Sequence, residues 1–112
     1  MAKEVRGDSE LTRSVLAVAA QVAGIVRRIL AHPEYRVLLF GSWPRGDARP
    51  ASDIDIGIDG PSPVDAVTMQ RIRDACDRLS TMRTVDVVDF WVLPPSVREN
   101  ARSGAVDLGS AA

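Results

Sequence analysis

From Asp53 to Asp59 the chain reads Asp-Ile-Asp-Ile-Gly-Ile-Asp. Isoleucine takes every second place, and acids or glycine take the others. A helix would scatter those isoleucines around its axis, whereas a strand lines them up on one face. The alternation therefore predicts a strand, Asp53–Asp59, with Ile54, Ile56 and Ile58 turned inward and Asp53, Asp55, Gly57 and Asp59 on the opposite face. Side chains two apart in a strand lie about 6.5–7 Å apart along it, so Asp53 and Asp55 can converge on a divalent cation. A half-exposed strand with a polar outer face needs no chemistry. Asp is a poor strand former, however, and its recurrence at alternate positions asks for another cause.

Upstream, Val37-Leu38-Leu39-Phe40 is a continuous apolar run. It predicts a strand over Tyr35–Phe40, interior to the sheet and covered on both faces. A loop, 41–52, joins the two strands. It opens on Gly41-Ser42 and contains Arg45-Gly46 and Arg49-Pro50. Gly41 permits a close backbone approach, and Ser42 and Arg45 offer a hydroxyl and a guanidinium, groups that suit phosphate. Trp43 reads either as a base-stacking surface or as a residue packed at the loop edge. Arg49 reads as a solvated charge.

The remaining elements alternate around these strands. Asp8 or Ser9 can cap a helix. Leu11, Val15, Val18, Val22, Ile25 or Val26, and Ile29 then recur every three or four residues, giving an amphipathic helix over 10–31 ended by Pro33. That helix reads as a cover for the sheet or as a partner-binding surface. Residues 64–80 form a second helix with Val67, Met69, Ile72, Cys76 and Leu79 on its apolar face and a solvated face of Arg71, Arg73, Asp74, Asp77 and Arg78. Cys76 on the apolar stripe reads as a buried structural thiol. A third strand follows over Thr84–Leu93, broken by Pro94-Pro95. A short helix, 97–103, is capped by Ser96 and ended by Gly104, and Val106 and Leu108 suggest a final edge strand. The expected fold class is α/β (α+β), a two-layer sandwich with a mixed sheet of three or four strands and helices on one face.

Composition narrows the functions. The 112 residues suit one domain, 1–112. The formal charge of −1 supplies no basic field for a nucleic-acid backbone, which argues against direct nucleic-acid binding. A single cysteine fits a reducing, cytoplasmic compartment. Acids among the first twenty residues argue against a signal peptide, and no apolar run approaches the length of a membrane span.

The spacing Gly41-Ser42, ten residues, Asp53-Ile54-Asp55 resembles the signature of the nucleotidyltransferase superfamily related to DNA polymerase β, above all its minimal (MNT) branch. Arg45-Gly46 and Ser52 also match that pattern, while Trp43-Pro44 is a less usual filling. The resemblance implies a polymerase β-like core and transfer of a nucleoside monophosphate, AMP from ATP, to a hydroxyl. It implies two Mg²⁺ ions held by Asp53, Asp55 and a third acid, with Gly41, Ser42 and Arg45 binding the nucleotide. Asp86 and Asp89 both fit the family's third acid but differ in strand parity. A crossover through the 64–80 helix would make the second and third strands parallel, which favours Asp86; a bulge would reverse the choice. Minimal members commonly act as antitoxins that modify a tyrosine of a helical HEPN ribonuclease, so a HEPN-type partner in a homo- or hetero-oligomer is expected. A non-catalytic binding antitoxin and a small-molecule nucleotidyltransferase with a separate helical subunit are the alternatives. Arg27 and His32 formally match the Arg-x4-His pattern of the HEPN ribonucleases themselves, but an all-helical bundle is incompatible with this chain's strands.

Overall fold

The computed structural model describes residues 10–112; the proposed caps Asp8 and Ser9 lie outside them. The elements run α1 (Glu10–Leu30), β1 (His32–Phe40), α2 (Ser42–Arg45), β2 (Ile54–Asp59), α3 (Ala66–Asp77), β3 (Val85–Asp89), a 3₁₀ turn (Phe90–Val92), α4 (Pro95–Ser103) and β4 (Val106–Ala111). The strands form one mixed sheet in the order β3-β2-β1-β4. β1 is antiparallel to both β2 and β4. β2 and β3 are parallel, joined through α3.

One sheet face carries the main core. Val37 and Leu39 of β1, all three isoleucines of β2 and Val87 of β3 pack under α1 and α3. α1 contributes Val15, Val22, Ile25 and Val26, all buried, so its periodic stripe is a cover for the sheet. Each isoleucine of β2 has lost all its solvent exposure. Complete burial of such a side chain stabilises by roughly 1.5–3 kcal/mol, which fixes the inward face of β2 firmly.

The second face is only partly covered. Leu38 packs there with Phe90 and Ala105, and Phe40, Leu93 and Ala101 flank them. Thus β1 is covered on both faces, as its apolar run predicts. Helices, however, are not confined to one face. α4 sits on the second, where Arg102 pairs with Asp59 of β2. Gly57 explains the break in the run of acids: a Cβ at that position would collide with the Phe90 ring.

Several boundaries depart from expectation. α1 ends at Leu30 with Ala31 at φ 51°, and Pro33 lies inside the first residues of β1. The β1–β2 ladder starts only at Arg36, and the β1–β4 register shifts between His32 and Arg36, so Pro33 costs the sheet no ladder donor there. α3 begins at Ala66 because Asp65 caps it, accepting from the Thr68 N–H at 3.0 Å. Val67 is exposed rather than part of the buried stripe. β3 stops at Asp89, whose carboxylate accepts from the Trp91 N–H at 3.0 Å and turns Phe90–Val92 into a 3₁₀ turn. In α4, Pro95 takes the first helical position, where a missing N–H is harmless; Ser96 is not the cap.

Candidate active site

The two strands that carry acids lie side by side and in register. Asp55 of β2 is directly opposite Asp86 of β3. Facing residues on neighbouring strands share a sheet face, so both carboxylates project from the side away from α1 and α3. Asp53 immediately precedes β2 and has the parity of Asp55. The three charges act on one another. Asp55 is held above the ordinary carboxylate range, first by burial, then by the negative charges of Asp86 and Asp53, with Arg45 pulling it back down.

Gly41 and Arg45 border this trio. Gly41 adopts φ 82°, a conformation that disfavours any side chain, and a Cβ there would run into the Asp55 carboxylate. Phe40, the neighbour of Gly41, pairs with Asp55 across the β1–β2 ladder. Ser42 opens the one-turn α2, which ends at Gly46 in the left-handed conformation; the Ser42 carbonyl accepts from the N–H groups of Gly46 and Asp47. The sequence showed this stretch as loop because four residues are too few for a helical period. Arg45 is exposed and lies 3.4 Å from Asp47. Such an exposed pair is weakly held, which leaves the guanidinium available to a phosphate.

Asp89 is placed elsewhere. It has the opposite parity to Asp86, is buried at the end of the core face and is fully engaged. One oxygen accepts from the Val64 N–H at 2.8 Å, the other from the Trp91 N–H. Asp59 shares the Asp55 face, but both its oxygens are taken by Arg102 at 2.7 and 2.8 Å. That pair spans β2 and α4 and had no signal in local sequence. Trp43 is buried, with its Nε1 donating to the Ser52 carbonyl, so it packs rather than presenting a stacking face. Arg73, expected as a solvated charge, donates to the Val87 carbonyl at 3.2 Å. His32 opens β1, its Nδ1 accepting from the Glu34 N–H, while Arg27 leans toward the Leu108 carbonyl.

The trio suits a hard divalent cation. Clustered carboxylates, Asp55 among them with its pKa raised, are relieved by positive charge, and oxygen-only donors suit Mg²⁺. Among the described residues no group of three or more Asp, Glu, His or Cys side chains is gathered so as to hold a metal ion by protein ligands alone. The arrangement is an open carboxylate edge, of the kind Mg²⁺ uses when waters and phosphate oxygens complete its shell. Among the described residues no helix is long and apolar enough to cross a membrane.

The chain is similar to known proteins over most of its length. Residues 20–107 match the nucleotidyltransferase domain family. The chain is 30% identical over 89 residues to the probable protein adenylyltransferase MntA of Haemophilus influenzae, covering 78% of each chain. Its fold is similar to a solved chain described as a minimal nucleotidyltransferase (TM-score 0.61, 26% identity, 82% of this chain and 93% of that one). It is also similar to a toxin–antitoxin structure with AMP-PNP (TM-score 0.52, 22% identity, 79% and 73%). A mutant MntA–HpeT toxin–antitoxin pair gives a TM-score of 0.56 at 17% identity, over 79% and 72%. With the motif, the sheet order and these matches in agreement, the chain belongs to the nucleotidyltransferase domain family, in its minimal, MntA-like branch.

Proposed function

We propose that this chain transfers AMP from ATP to a tyrosine hydroxyl of a partner toxin of the helical HEPN type, and thereby acts as an antitoxin. The observation that carries the reading is the in-register pairing of Asp55 with Asp86, with Asp53 beside them. The relative named as a protein adenylyltransferase supports AMP as the group and protein as the acceptor. The fold neighbours solved as toxin–antitoxin assemblies, one with AMP-PNP, support the kind of partner and nucleotide.

In the reaction the acceptor oxygen attacks the α-phosphorus of ATP. A new P–O bond forms to the tyrosine, the bond to the β-phosphate oxygen breaks, and pyrophosphate leaves with that electron pair. The phenolic proton passes to solvent or to a nearby carboxylate. Asp53, Asp55 and Asp86 would hold the Mg²⁺, which supplies charge stabilisation for the attacking and leaving oxygens. Gly41 leaves the backbone bare beside Asp55, the Ser42 hydroxyl binds the triphosphate, and Arg45 adds a positive charge on the same side. The sheet face is open there, so the partner that brings the tyrosine also excludes water.

The test mixes the chain with labelled ATP, Mg²⁺ and the candidate toxin, with Asp55→Asn in parallel. Label is expected on a toxin tyrosine with the wild type and not with the variant. Transfer at equal rates by both proteins would refute the carboxylate assignment, and label on a small molecule but never on protein would refute the acceptor.

A further inference from the structure

Asp55 and Asp86 are held by the sheet, but Asp53 precedes the first residue of β2 and is exposed. Three like charges push the segments that carry them apart. Something must hold the entry to β2 against that repulsion, and two residues that the motif does not specify converge there.

Trp43 follows directly on Gly41-Ser42. Its indole Nε1 donates at 3.3 Å to the carbonyl of Ser52, the peptide that leads into Asp53. Arg83 precedes Asp86 by three residues. Its Nη1 donates at 2.8 Å to the Pro50 carbonyl, and its guanidinium lies 5.5 Å from the centre of the Trp43 ring, within cation–π range. The intervening chain is tied to itself as well. Ser52 Oγ accepts from the Arg49 N–H at 2.8 Å, and the Ser52 N–H donates to the Arg49 carbonyl at 2.9 Å. Finally the Ile54 N–H donates to the Thr84 carbonyl at 2.9 Å.

Three segments therefore meet in one knot. One carries Gly41 and Ser42, one leads into Asp53 and Asp55, and one leads into Asp86. We infer that Trp43 and Arg83 are positioning residues, a brace that fixes the phosphate-binding turn and the Asp53 carboxylate relative to Asp86. Neither residue needs to touch the nucleotide. The inference rests on the reading of Asp53, Asp55 and Asp86 as the metal-holding trio.

Electrostatics and bracing make opposite predictions for Arg83. If its charge acted only through space, removing it would tighten cation binding at a negative site. If it braces the site, removing it loosens the carboxylates and weakens binding. The experiment titrates Mn²⁺ into the full chain, following free Mn²⁺ by electron paramagnetic resonance, for wild type, Arg83→Met, Arg83→Lys, Trp43→Phe and Asp55→Asn. Amide hydrogen exchange at Ser52 and Ile54 is measured on the same proteins, well below their unfolding temperatures.

Loss of supporting interactions around a metal site commonly costs 10–100-fold in affinity. Arg83→Met is expected to bind Mn²⁺ about tenfold more weakly than wild type, near the low end of that range. Arg83→Lys keeps the charge but loses the planar fork, and should weaken binding too. Trp43→Phe keeps the ring and loses only the donor, so its effect should be smaller. Exchange at Ser52 and Ile54 should be faster in Arg83→Met. Equal or tighter Mn²⁺ binding by Arg83→Met, with unchanged exchange, overturns the brace. Should wild type bind Mn²⁺ no better than Asp55→Asn, the metal reading itself fails. The brace is then decided by exchange alone, and unchanged protection at Ser52 and Ile54 overturns it.

Discussion

Replacing Asp55 by Asn should make the metal-free protein more stable while abolishing transfer. The side chain keeps its shape and loses a charge that the fold tolerates poorly. Asp86 is directly opposite on the next strand, and neighbouring strands are about 4.8 Å apart. Two unit charges about 5 Å apart in a water-like dielectric repel by about 0.8 kcal/mol, near the top of the range measured for exposed pairs. Burial of the carboxylate, the largest contribution, and Asp53 add to this and Arg45 subtracts, so the net gain from neutralisation is about 1 kcal/mol after solvent screening. For a chain of this size that corresponds to a rise of about 4 °C in Tm. The pH dependence follows from the sign of the shift. Asp55 titrates higher in the folded chain than in the unfolded one, so its charge penalises the native state above that raised value and not below the ordinary aspartate value. The advantage of the Asn variant is therefore full at pH 7 and fades as the pH falls through the Asp55 pKa. Differential scanning calorimetry in EDTA from pH 7 to pH 4 measures it. Added Mg²⁺ should reverse the order, because wild type gains about 1.4 kcal/mol at a metal concentration ten times Kd and the variant gains little. An Asn variant no more stable than wild type in EDTA at pH 7, or an advantage indifferent to acid, would refute the reasoning.

Asp86→Asn and Asp89→Asn should part company: the first abolishes AMP transfer in the labelled-ATP assay and, by relieving the same repulsion from the other side, modestly raises the urea midpoint in EDTA. The second disturbs the acceptors for Val64 and Trp91 and costs roughly 1–3 kcal/mol in urea unfolding. Gly41→Ala should lose transfer and at least about 1 kcal/mol of stability, since the backbone is left-handed there and the new methyl displaces the Asp55 carboxylate; preserved activity would show that the turn relaxes freely. Cys76, its thiol pushed up to about 11 chiefly by burial, should resist iodoacetamide at pH 8 in the folded chain and react on unfolding in urea, as followed by mass spectrometry.

Much of this arrangement was legible beforehand because it rests on strand parity. Alternation in Asp53–Asp59 assigned the faces of β2. The helical stretch after it implied a parallel β3, and parity then separated Asp86 from Asp89. What stayed hidden depends on contacts distant in sequence or too short to be periodic. The Asp59–Arg102 pair joins residues 43 positions apart. The role of Gly57 is intelligible only once Phe90 lies across it. α2 spans a single turn, and the end of β3 is set by an Asp89 side chain that reads locally as one more strand residue. Val67 looked like a core position, but it falls in the first turn of α3 with its side chain exposed.

Asp89 also gives the sheet a means of proofreading its own alignment. A slip of β3 by a single residue along β2 would turn every side chain over. Asp86 would then be driven into the hydrocarbon between the sheet and the helices with nothing to donate to it, while the Val64 and Trp91 amides would lose the acceptor they now share. The misaligned sheet would bury an orphan acid and forfeit two hydrogen bonds at once, so pairings that would separate Asp86 from Asp55 are selected against during folding rather than corrected by the substrate. Substitutions at Asp89, remote from the nucleotide, would thus remove one of the two penalties on misalignment and narrow the margin by which the aligned sheet is preferred.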